Sequence, residues 1–295
     1  MEIQTLQAFL AVAKSNSFSK AALILHLSQS AISKRIANLE NELNCRLFDR
    51  IGRHINLTEA GNLLLPRAKK IIGEVEQCRQ LMHNLHNTIG GTLSIGTSHH
   101  IGLHRLPTHL QTFTHRYPEV ELDLHFLDSE EACQKVLSGA LELAVVTLPQ
   151  ESNRRLTTHL LWQDPMLFMV NKTHPLSQQK NLKLKDLLPY PAILPSQGTY
   201  TRDLIDQALQ PQNTPLKIAL ETHYLETIKS MVGIGLGWSV LPESLCNDDL
   251  LCLKLSDIQI QRQLGYVQHR ERILSNAAHA FINTLSAQKN PDHSR

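Results

Sequence analysis

The sequence has no apolar run that approaches the ~20 residues a helix needs to cross a lipid bilayer. It also lacks a basic N-terminal stretch followed by an apolar segment and a small-residue cleavage site, so we expect a cytoplasmic chain. Cysteine is scarce: the five cysteines, at positions 45, 78, 133, 246 and 252, form no Cys-x-x-Cys pair. We interpret them as reduced thiols rather than as a disulfide framework or a zinc site.

Enzyme signatures are missing as well. There is no Gly-x-Ser-x-Gly elbow, no P-loop, no His-Glu-x-x-His and no Gly-x-Gly-x-x-Gly after a predicted strand. The stretch from Gly233 to Gly237 follows a predicted helix and is interpreted as a tight helix-to-strand turn. These absences disfavour an enzyme. A transport-type solute-binding protein is also disfavoured, because the export signal is missing and because the N-terminal region is basic.

The composition is that of a globular protein with an uneven charge distribution. Hydrophobic residues make up 42% and charged residues 19% of the 295 positions, which favours two or three compact units over extensive disorder. Residues 1–90 contain 11 Lys and Arg against 7 Asp and Glu, whereas the remainder contains 18 against 20. A basic N-terminal region on a slightly acidic body indicates a polyanionic partner.

The first 60 residues have the periodicity of a helix-turn-helix. Ser17 and Ser28 are suitable N-caps for two successive helices. One stripe of the second helix is apolar: Ile32, Ile36, Leu39 and Leu43. The opposite stripe is small, polar and basic: Ser30, Ser33, Lys34, Ala37, Asn38 and Asn41. This face suits a DNA groove, although an ordinary amphipathic surface helix is the alternative. A basic hairpin predicted after Leu43 completes a winged helix-turn-helix.

Thr58 opens a long predicted helix whose apolar positions alternate in steps of four and three. These positions form a heptad seam: Leu64, Ala68, Ile71, Val75, Cys78, Met82 and Leu85. Because the seam is narrow, dimerisation through this helix is favoured over packing against its own domain. Pro66 and Gly73 weaken the helix locally.

Beyond Gly90-Gly91 the pattern changes to strands that alternate with helices. Strands are predicted near residues 92–98, 121–127 and 141–147, and a second set begins near Pro165 and includes 166–170 and 264–268. This alternation predicts an α/β region with a mainly parallel sheet, and the interruption near residue 164 predicts two subdomains.

Several segments of the chain resemble those of a known family. The stretch AFLAVAKSNSFSKAALILHLSQSAISKRIANLENELNCRLFDRIGRHINLTEAG is similar to the DNA-binding domain of LysR-type transcriptional regulators. Further segments follow in the order typical of that family: GTLSIGTS, RLP, FTHRYPEVEL, LSGALELAVVT, HPL and MVGIGLGWSVLP. The resemblance spans roughly residues 2–287, which is almost the whole chain.

The resemblance implies a multidomain organisation. A winged helix-turn-helix, all-α with a small β wing, would cover residues 1–58, and a linker and dimerisation helix would cover 59–89. An α/β effector-binding domain at 91–295, similar to type 2 periplasmic-binding proteins, would consist of two subdomains. Subdomain I would span about 91–163 and 266–295, and subdomain II about 164–265.

The resemblance also implies partners. The protein would bind a double-stranded DNA operator at the bacterial nucleoid, as an activator or a repressor. It would form a homodimer through the linker helix and then a homotetramer, with RNA polymerase left open as a further partner. No cofactor is expected, only a small-molecule effector, which we expect to be anionic, held between the subdomains.

The expected DNA-binding residues are on the second helix and the wing: Gln29, Ser30, Ser33, Lys34, Arg35, Arg50 and Arg53. Family members often carry Arg at the place of Lys34, and lysine cannot form the bidentate contact to guanine that arginine forms. Arg35 lies nearer the buried stripe and reaches either a phosphate or a neighbouring acid. The alternative for the whole set is a solvated basic surface.

The expected effector-binding residues lie at strand ends and helix starts: Thr97, Ser98, His99, His100, Thr147, Ser196, Thr199, Glu221 and His223. Their hydroxyl and backbone N–H groups would form an anion-binding cleft. Each residue alone is more typical of a cap or turn, and for Glu221 and His223 a solvated strand end is favoured. His99 and His100 depart from the family pattern and could donate hydrogen bonds or respond to protonation near pH ~6–7.

Six histidines between residues 99 and 125 raise the question of a metal sensor. His100 and His104 have the spacing of one helical face, but no carboxylate joins a histidine pair in a recognised zinc pattern. We therefore predict surface or cleft histidines and no metal site.

Overall fold

The computed structural model describes residues 1–51, 54–84, 89–179, 181–209 and 216–287. The chain divides into two compact units, Met1–His86 and Asn87–Arg295, called here the N-terminal and C-terminal units. Within the described residues, no helix is both long enough and apolar enough to span a membrane.

The described part of the N-terminal unit contains four helices and a hairpin. In chain order these are α1 (Ile3–Ser15), α2 (Phe18–Ile24), α3 (Gln29–Leu43), β1 (Phe48–Ile51), β2 (His54–Leu57) and α4 (Glu59–Asn84). Strands β1 and β2 pair antiparallel and form the predicted wing. The backbone of Arg50 lies in β1, whereas Arg53 lies outside the described residues.

Local hydrogen bonds account for where these helices begin and end. Ser17 Oγ accepts from the backbone N–H of Lys20 at 3.2 Å, and Ser28 Oγ accepts from that of Ala31 at 3.2 Å, so both predicted caps are present. Helices α1 and α3 end at Asn16 and Asn44, which adopt left-handed φ values of 48° and 50°.

An aromatic cluster holds the N-terminal helices against the wing. The Phe48 ring lies 5.4 Å from Phe9 and 5.9 Å from Phe18, measured between centroids. Three residues of the predicted inner stripe of α3, Ile32, Ile36 and Leu39, are buried in the same core, whereas the fourth, Leu43 at the end of the helix, is exposed. Burial of that stripe leaves the opposite face of α3 directed outward.

The C-terminal unit is an α/β structure. Its strands are β3 (Gly91–Thr97), β4 (Val120–Phe126), β5 (Leu143–Thr147), β6 (Leu156–Asn171), β7 (Ala192–Pro195), β8 (Ile218–Thr222), β9 (Ser239–Pro242), β10 (Leu250–Leu253) and β11 (Ile260–His269). Its helices are α5 (His99–His104), α6 (Pro107–Arg116), α7 (Ser129–Leu137), α8 (Tyr200–Leu209), α9 (Leu225–Gly233) and α10 (Asn276–Ala287).

The prediction of a mainly parallel sheet is wrong. The main sheet has seven strands in the order β10-β6-β11-β5-β3-β4, with β9 also paired to β6. Only β3 pairs parallel within it, with β4 and β5, whereas the four pairings made by β6 and β11 with their neighbours and each other are antiparallel. Strands β7 and β8 form a separate parallel pair. The sheet is mixed because two long strands pass through its middle in opposite directions.

These two strands connect two subdomains. Subdomain I contains β3–β5, α5–α7 and α10, and subdomain II contains β7–β10, α8 and α9. Leu161 of β6 and Leu264 of β11 pack in the core of subdomain I. Met166 and Ile260, further along the same strands, pack in the core of subdomain II. The crossing therefore lies between these pairs of residues.

One disulfide departs from the expectation of reduced thiols. Cys246 and Cys252 are bonded, with their Cα atoms 6.8 Å apart, whereas Cys45, Cys78 and Cys133 are free. The chain turns back between the end of a short 3-10 helix at Leu245 and the start of β10 at Leu250, and this turn brings the two cysteines together.

Candidate functional site

The first candidate site is the outer face of α3. Its predicted contact residues are at the surface: Gln29, Ser30 and Lys34 are exposed, and Ser33 and Arg35 are half-buried. The guanidinium of Arg35 donates to Gln4 Oε1 of α1 at 2.8 Å. Arg35 is thus held beside α1, whereas Lys34 projects freely enough to reach a phosphate or a base edge.

The acidic residues of α3 are occupied by local partners. Glu40 accepts from the backbone N–H groups of Leu47 and Phe48 at 2.7 and 3.3 Å. Glu42 pairs with the N-terminal ammonium group of Met1. Because these carboxylates lie at the far end of the helix and are paired, they do not cancel the basic character of its first half.

The predicted dimerisation seam on α4 is divided by the structure. Ala68 is fully buried, and Leu64 is partly buried against the same core in its own unit. These two residues pack within one chain, because the wing and α1 already cover this part of α4, and Ala68 is not available to a second copy. Ile71, Cys78 and Met82 are exposed, Val75 is half-buried, and Leu85 lies outside the described residues.

The second candidate site is a cavity of about 500 Å³ between the two subdomains. The first residues of four helices line it: α5 and α7 from subdomain I, and α8 and α9 from subdomain II. The expected residues Ser98, His99, His100, Thr147, Thr199 and His223 are in its wall. Helix N-termini carry a partial positive charge, so their convergence favours a negatively charged group in the cavity, although at α8 the first N–H group already donates to Glu130.

Three expected effector residues are outside the cavity wall. Thr97 is buried, and its hydroxyl donates to the carbonyl of Ser98 at 3.3 Å. The Ser196 carbonyl accepts from the Thr199 hydroxyl at 2.9 Å, so Ser196 supports the loop rather than lining the wall. Glu221 accepts from the guanidinium of Arg202 at 2.6 Å, because β8 directs this carboxylate toward α8.

A buried ion pair that reaches the cavity wall through Arg262 was not predicted. The Arg262 guanidinium donates to Asp164 Oδ2 at 3.0 and 2.6 Å and to the Thr201 hydroxyl at 3.2 Å. Arg105 also donates to Asp164, at 3.2 Å. The pair sits where β6 and β11 cross, since Asp164 and Arg262 are partners in the strand register. The sequence did contain a signal for it: in IQRQL, Arg262 lies two residues from both Ile260 and Leu264, so it shares their buried face while the glutamines between them point outward.

The carboxylates of the cavity wall are each engaged by a neighbour. Asp128 pairs with His223 at 2.9 Å, and Glu131 pairs with Lys135 at 2.9 Å. Glu130 accepts from the backbone N–H of Tyr200, and burial raises the pKa of its carboxyl group despite that bond. The wall thus carries four carboxylates, those of Asp128, Glu130, Glu131 and Glu226, each held by a hydrogen bond or an ion pair.

Two histidines of α5 meet a glutamate of α9 at the edge of the cavity. Glu226 Oε1 lies 3.0 Å from His100 Nδ1 and 3.1 Å from His104 Nε2. Burial lowers the pKa of His100, so its imidazole is neutral and donates from Nδ1 to the carboxylate. Burial alone would raise the pKa of Glu226, but the hydrogen bond from His100, with smaller contributions, outweighs it and brings the pKa to about 2. The ring of His99 packs against Tyr224, with centroids 5.4 Å apart.

Known families match both units. Residues 3–62 match the family described as a bacterial regulatory helix-turn-helix protein of the lysR family, and residues 86–290 match the LysR substrate binding domain.

Individual proteins match along almost the whole length. A probable RuBisCO transcriptional regulator of Trichormus variabilis is 32% identical and covers 97% of this chain and 88% of its own length. The HTH-type transcriptional regulator YeiE of Escherichia coli K12 is 30% identical over 95% of this chain and 96% of its own. Full-length CbnR, solved in complex with its target DNA, superimposes with a TM-score of 0.68 at 20% identity, over 98% of this chain and 100% of CbnR.

Proposed function

Because this chain belongs to the LysR family of transcriptional regulators, we propose that α3 reads an operator while the cavity of the C-terminal unit binds a small anionic effector. The family assignment makes the protein a DNA-binding regulator with an effector-binding domain and not an enzyme. The proposal adds the residues on each surface and the chemistry of the effector.

The DNA surface is assigned to the first half of α3 together with the wing. Gln29, Ser30, Ser33 and Lys34 present short or flexible donors on one outward face. Arg50 and Arg53 are proposed from the sequence to supply positive charge for phosphates. Arg35, which is bonded to Gln4, orients the helix and is a secondary contact. The structure of CbnR with its target DNA supports DNA binding by a chain of this fold.

The effector is proposed to carry a carboxylate or a similar oxyanion. The carrying observation is the convergence of four helix N-termini, with the hydroxyl groups of Ser98, Thr147 and Thr199, on one cavity between two subdomains. Arg262 also lines the cavity, with its guanidinium paired to Asp164. The effector changes DNA binding only if it binds two arrangements of the assembly with different affinity.

Calorimetry and thermal shift of the full chain against small carboxylates, matched amines and neutral sugars test this assignment. A carboxylate at ~100 times its Kd should add ~2.7 kcal/mol to the free energy of unfolding. The substitutions Ser98→Ala and Thr147→Val should weaken that binding about tenfold. Ser138→Ala, which removes an exposed hydroxyl on the end of α7, is the control. Stabilisation by amines but not by acids would contradict the anionic class.

The oligomer is proposed to form through the exposed part of α4, at Ile71, Cys78 and Met82, as a dimer that pairs into a tetramer. Light scattering should give a mass below that of the unchanged protein for the Ile71→Glu, Met82→Glu double variant. An unchanged mass would assign the interface elsewhere. RNA polymerase, the further partner implied by the resemblance, remains a prediction.

A further inference from the structure

The cluster formed by His100, His104 and Glu226 has a geometry that its hydrogen bonds do not explain. The ligand atoms of the three side chains all lie within 4.8 Å of one another. Both imidazoles approach the same carboxylate oxygen, Glu226 Oε1. The other oxygen, Oε2, is buried and has no hydrogen-bond partner among the described residues. A buried carboxylate oxygen without a partner is costly, and it points to a missing ligand.

We propose that these three residues bind one divalent transition-metal cation of the Zn²⁺ type. His100 would ligate through Nδ1, His104 through Nε2, and Glu226 through its carboxylate. A tetrahedral ion with bonds of about 2.1 Å separates its ligand atoms by about 3.4 Å. The observed separations from Oε1 are 3.0 and 3.1 Å, so these two need a widening of only a few tenths of an ångström, and the two imidazole nitrogens lie within 4.8 Å of each other.

The surroundings of the cluster suit a metal ligand set. The Oγ atom of Ser244 lies 3.5 Å from His100 Nε2, the ring nitrogen that a ligating His100 would leave free to donate. Such outer partners fix the tautomer and the ring orientation of metal-bound histidines. Two imidazoles and one carboxylate favour Zn²⁺, Co²⁺ or Ni²⁺ over Mg²⁺ or Ca²⁺, which prefer oxygen ligands.

An ion at this position would link the two subdomains. The histidines belong to α5 of subdomain I and the glutamate to α9 of subdomain II, so the ion would join the two walls of the cavity. Three protein ligands leave a fourth position for water or another ligand. The inference goes beyond the proposed function, because it stands on three side chains and requires neither DNA nor an anionic effector.

Titration of the metal-free full chain with Zn²⁺ alone, followed by calorimetry, tests the site. We expect one ion per chain, d–d absorption of tetrahedral type with Co²⁺, and no heat with Mg²⁺ or Ca²⁺. The substitutions His104→Ala and Glu226→Gln should each weaken Zn²⁺ binding at least tenfold. His125→Ala is the matched control, because His125 also pairs with a carboxylate, Asp123, at 2.8 Å but outside the cluster.

Several results would overturn the proposal. These are unchanged Zn²⁺ affinity in His104→Ala, an equal loss in His125→Ala, or a thiolate-to-cobalt charge-transfer band in place of the expected spectrum. His104 is 36% exposed, so its truncation should leave the fold intact, and this variant decides the question even where Glu226→Gln does not fold. Because the probe is a metal ion without effector or operator, failure here leaves the proposed function standing.

Discussion

The outer face of α3 and the cavity of the C-terminal unit are built in different ways. The face of α3 comes from 15 consecutive residues, Gln29–Leu43, and one helical period decides which side chains point outward. The cavity takes its wall from segments between Ser98 and Arg262, and the sheet topology decides which of them meet. The first surface tolerates substitution because its side chains are exposed, whereas the second depends on buried pairs.

The largest expected effect is the loss of the buried ion pair. In Arg262→Met, the carboxylate of Asp164 stays buried with only Arg105 beside it, which should lower the free energy of unfolding by about 3–5 kcal/mol. Urea unfolding followed by tryptophan fluorescence reports on this unit alone, because both tryptophans, Trp162 and Trp238, belong to it. A change below about 1 kcal/mol would show that the pair is not buried as described.

On α3 the effect should fall on binding and not on folding. Lys34→Ala should weaken binding to DNA selected from a random pool by about 1–3 kcal/mol, and Arg53→Ala should weaken it similarly through the loss of a positive charge. Lys14→Ala removes the same charge from an exposed position of α1 and serves as the control. Equal affinities for Lys34→Ala and the unchanged protein, in gel-shift titrations at physiological salt, would remove α3 from the contact surface.

Two glycines of α4 distinguish the packed part of that helix from its exposed part. A Cβ on Gly61 would lie 2.3 Å from the Leu47 carbonyl oxygen, so Gly61→Ala should destabilise the N-terminal unit by about 1–3 kcal/mol. A Cβ on Gly73 meets nothing within 4 Å, and Gly73→Ala should stabilise α4 by about 0.5–1 kcal/mol. Hydrogen exchange of α1–α3 peptides in the full chain measures the first effect, and that of α4 peptides the second. The same sign for both variants would contradict this division.

The contrast between the face of α3 and the cavity also explains which features could be predicted from the sequence. Periodicity was sufficient for α3, its caps and the wing, because each depends on neighbours within a few residues. The strand predicted at 166–170 is only part of a strand of 16 residues, Leu156–Asn171. Polar residues near the crossing interrupt its apolar pattern, so its full length could not be predicted. Thr97 was wrongly expected in the cavity wall. Successive side chains of β3 point to opposite faces of the sheet, and that of Thr97 is buried. Glu226 was missed because its partners lie more than 120 positions away in the sequence.

The smallest expected effect concerns acid. Burial lowers the pKa of His109, and likewise that of His174 and His269, all in the C-terminal unit. In the unfolded chain these imidazoles have a pKa near ~6.5, whereas in the folded chain their pKa is lower. Below pH ~6.5 the unfolded chain therefore binds more protons than the folded chain. Stability of this unit should therefore fall as the pH drops below ~6.5 and level off below the folded pKa values.

The variant His109→Leu should flatten this pH dependence in urea unfolding series recorded between pH 5 and pH 8. His115→Leu, at an exposed position of the same helix, controls for the substitution itself. An unaltered slope in His109→Leu would exclude this imidazole as a source of the acid sensitivity.

The long strands β6 and β11 have a consequence for how the C-terminal unit comes apart. They pair along all ten residues of β11, from Ile260 to His269, and supply side chains to both cores. When one core unfolds on heating, the hydrogen bonds between β6 and β11 break. The other core depends on the same two strands and therefore unfolds with it. The two subdomains are therefore not independent folding units. Calorimetry should record a single cooperative transition for the C-terminal unit, and neither subdomain should fold when it is expressed by itself.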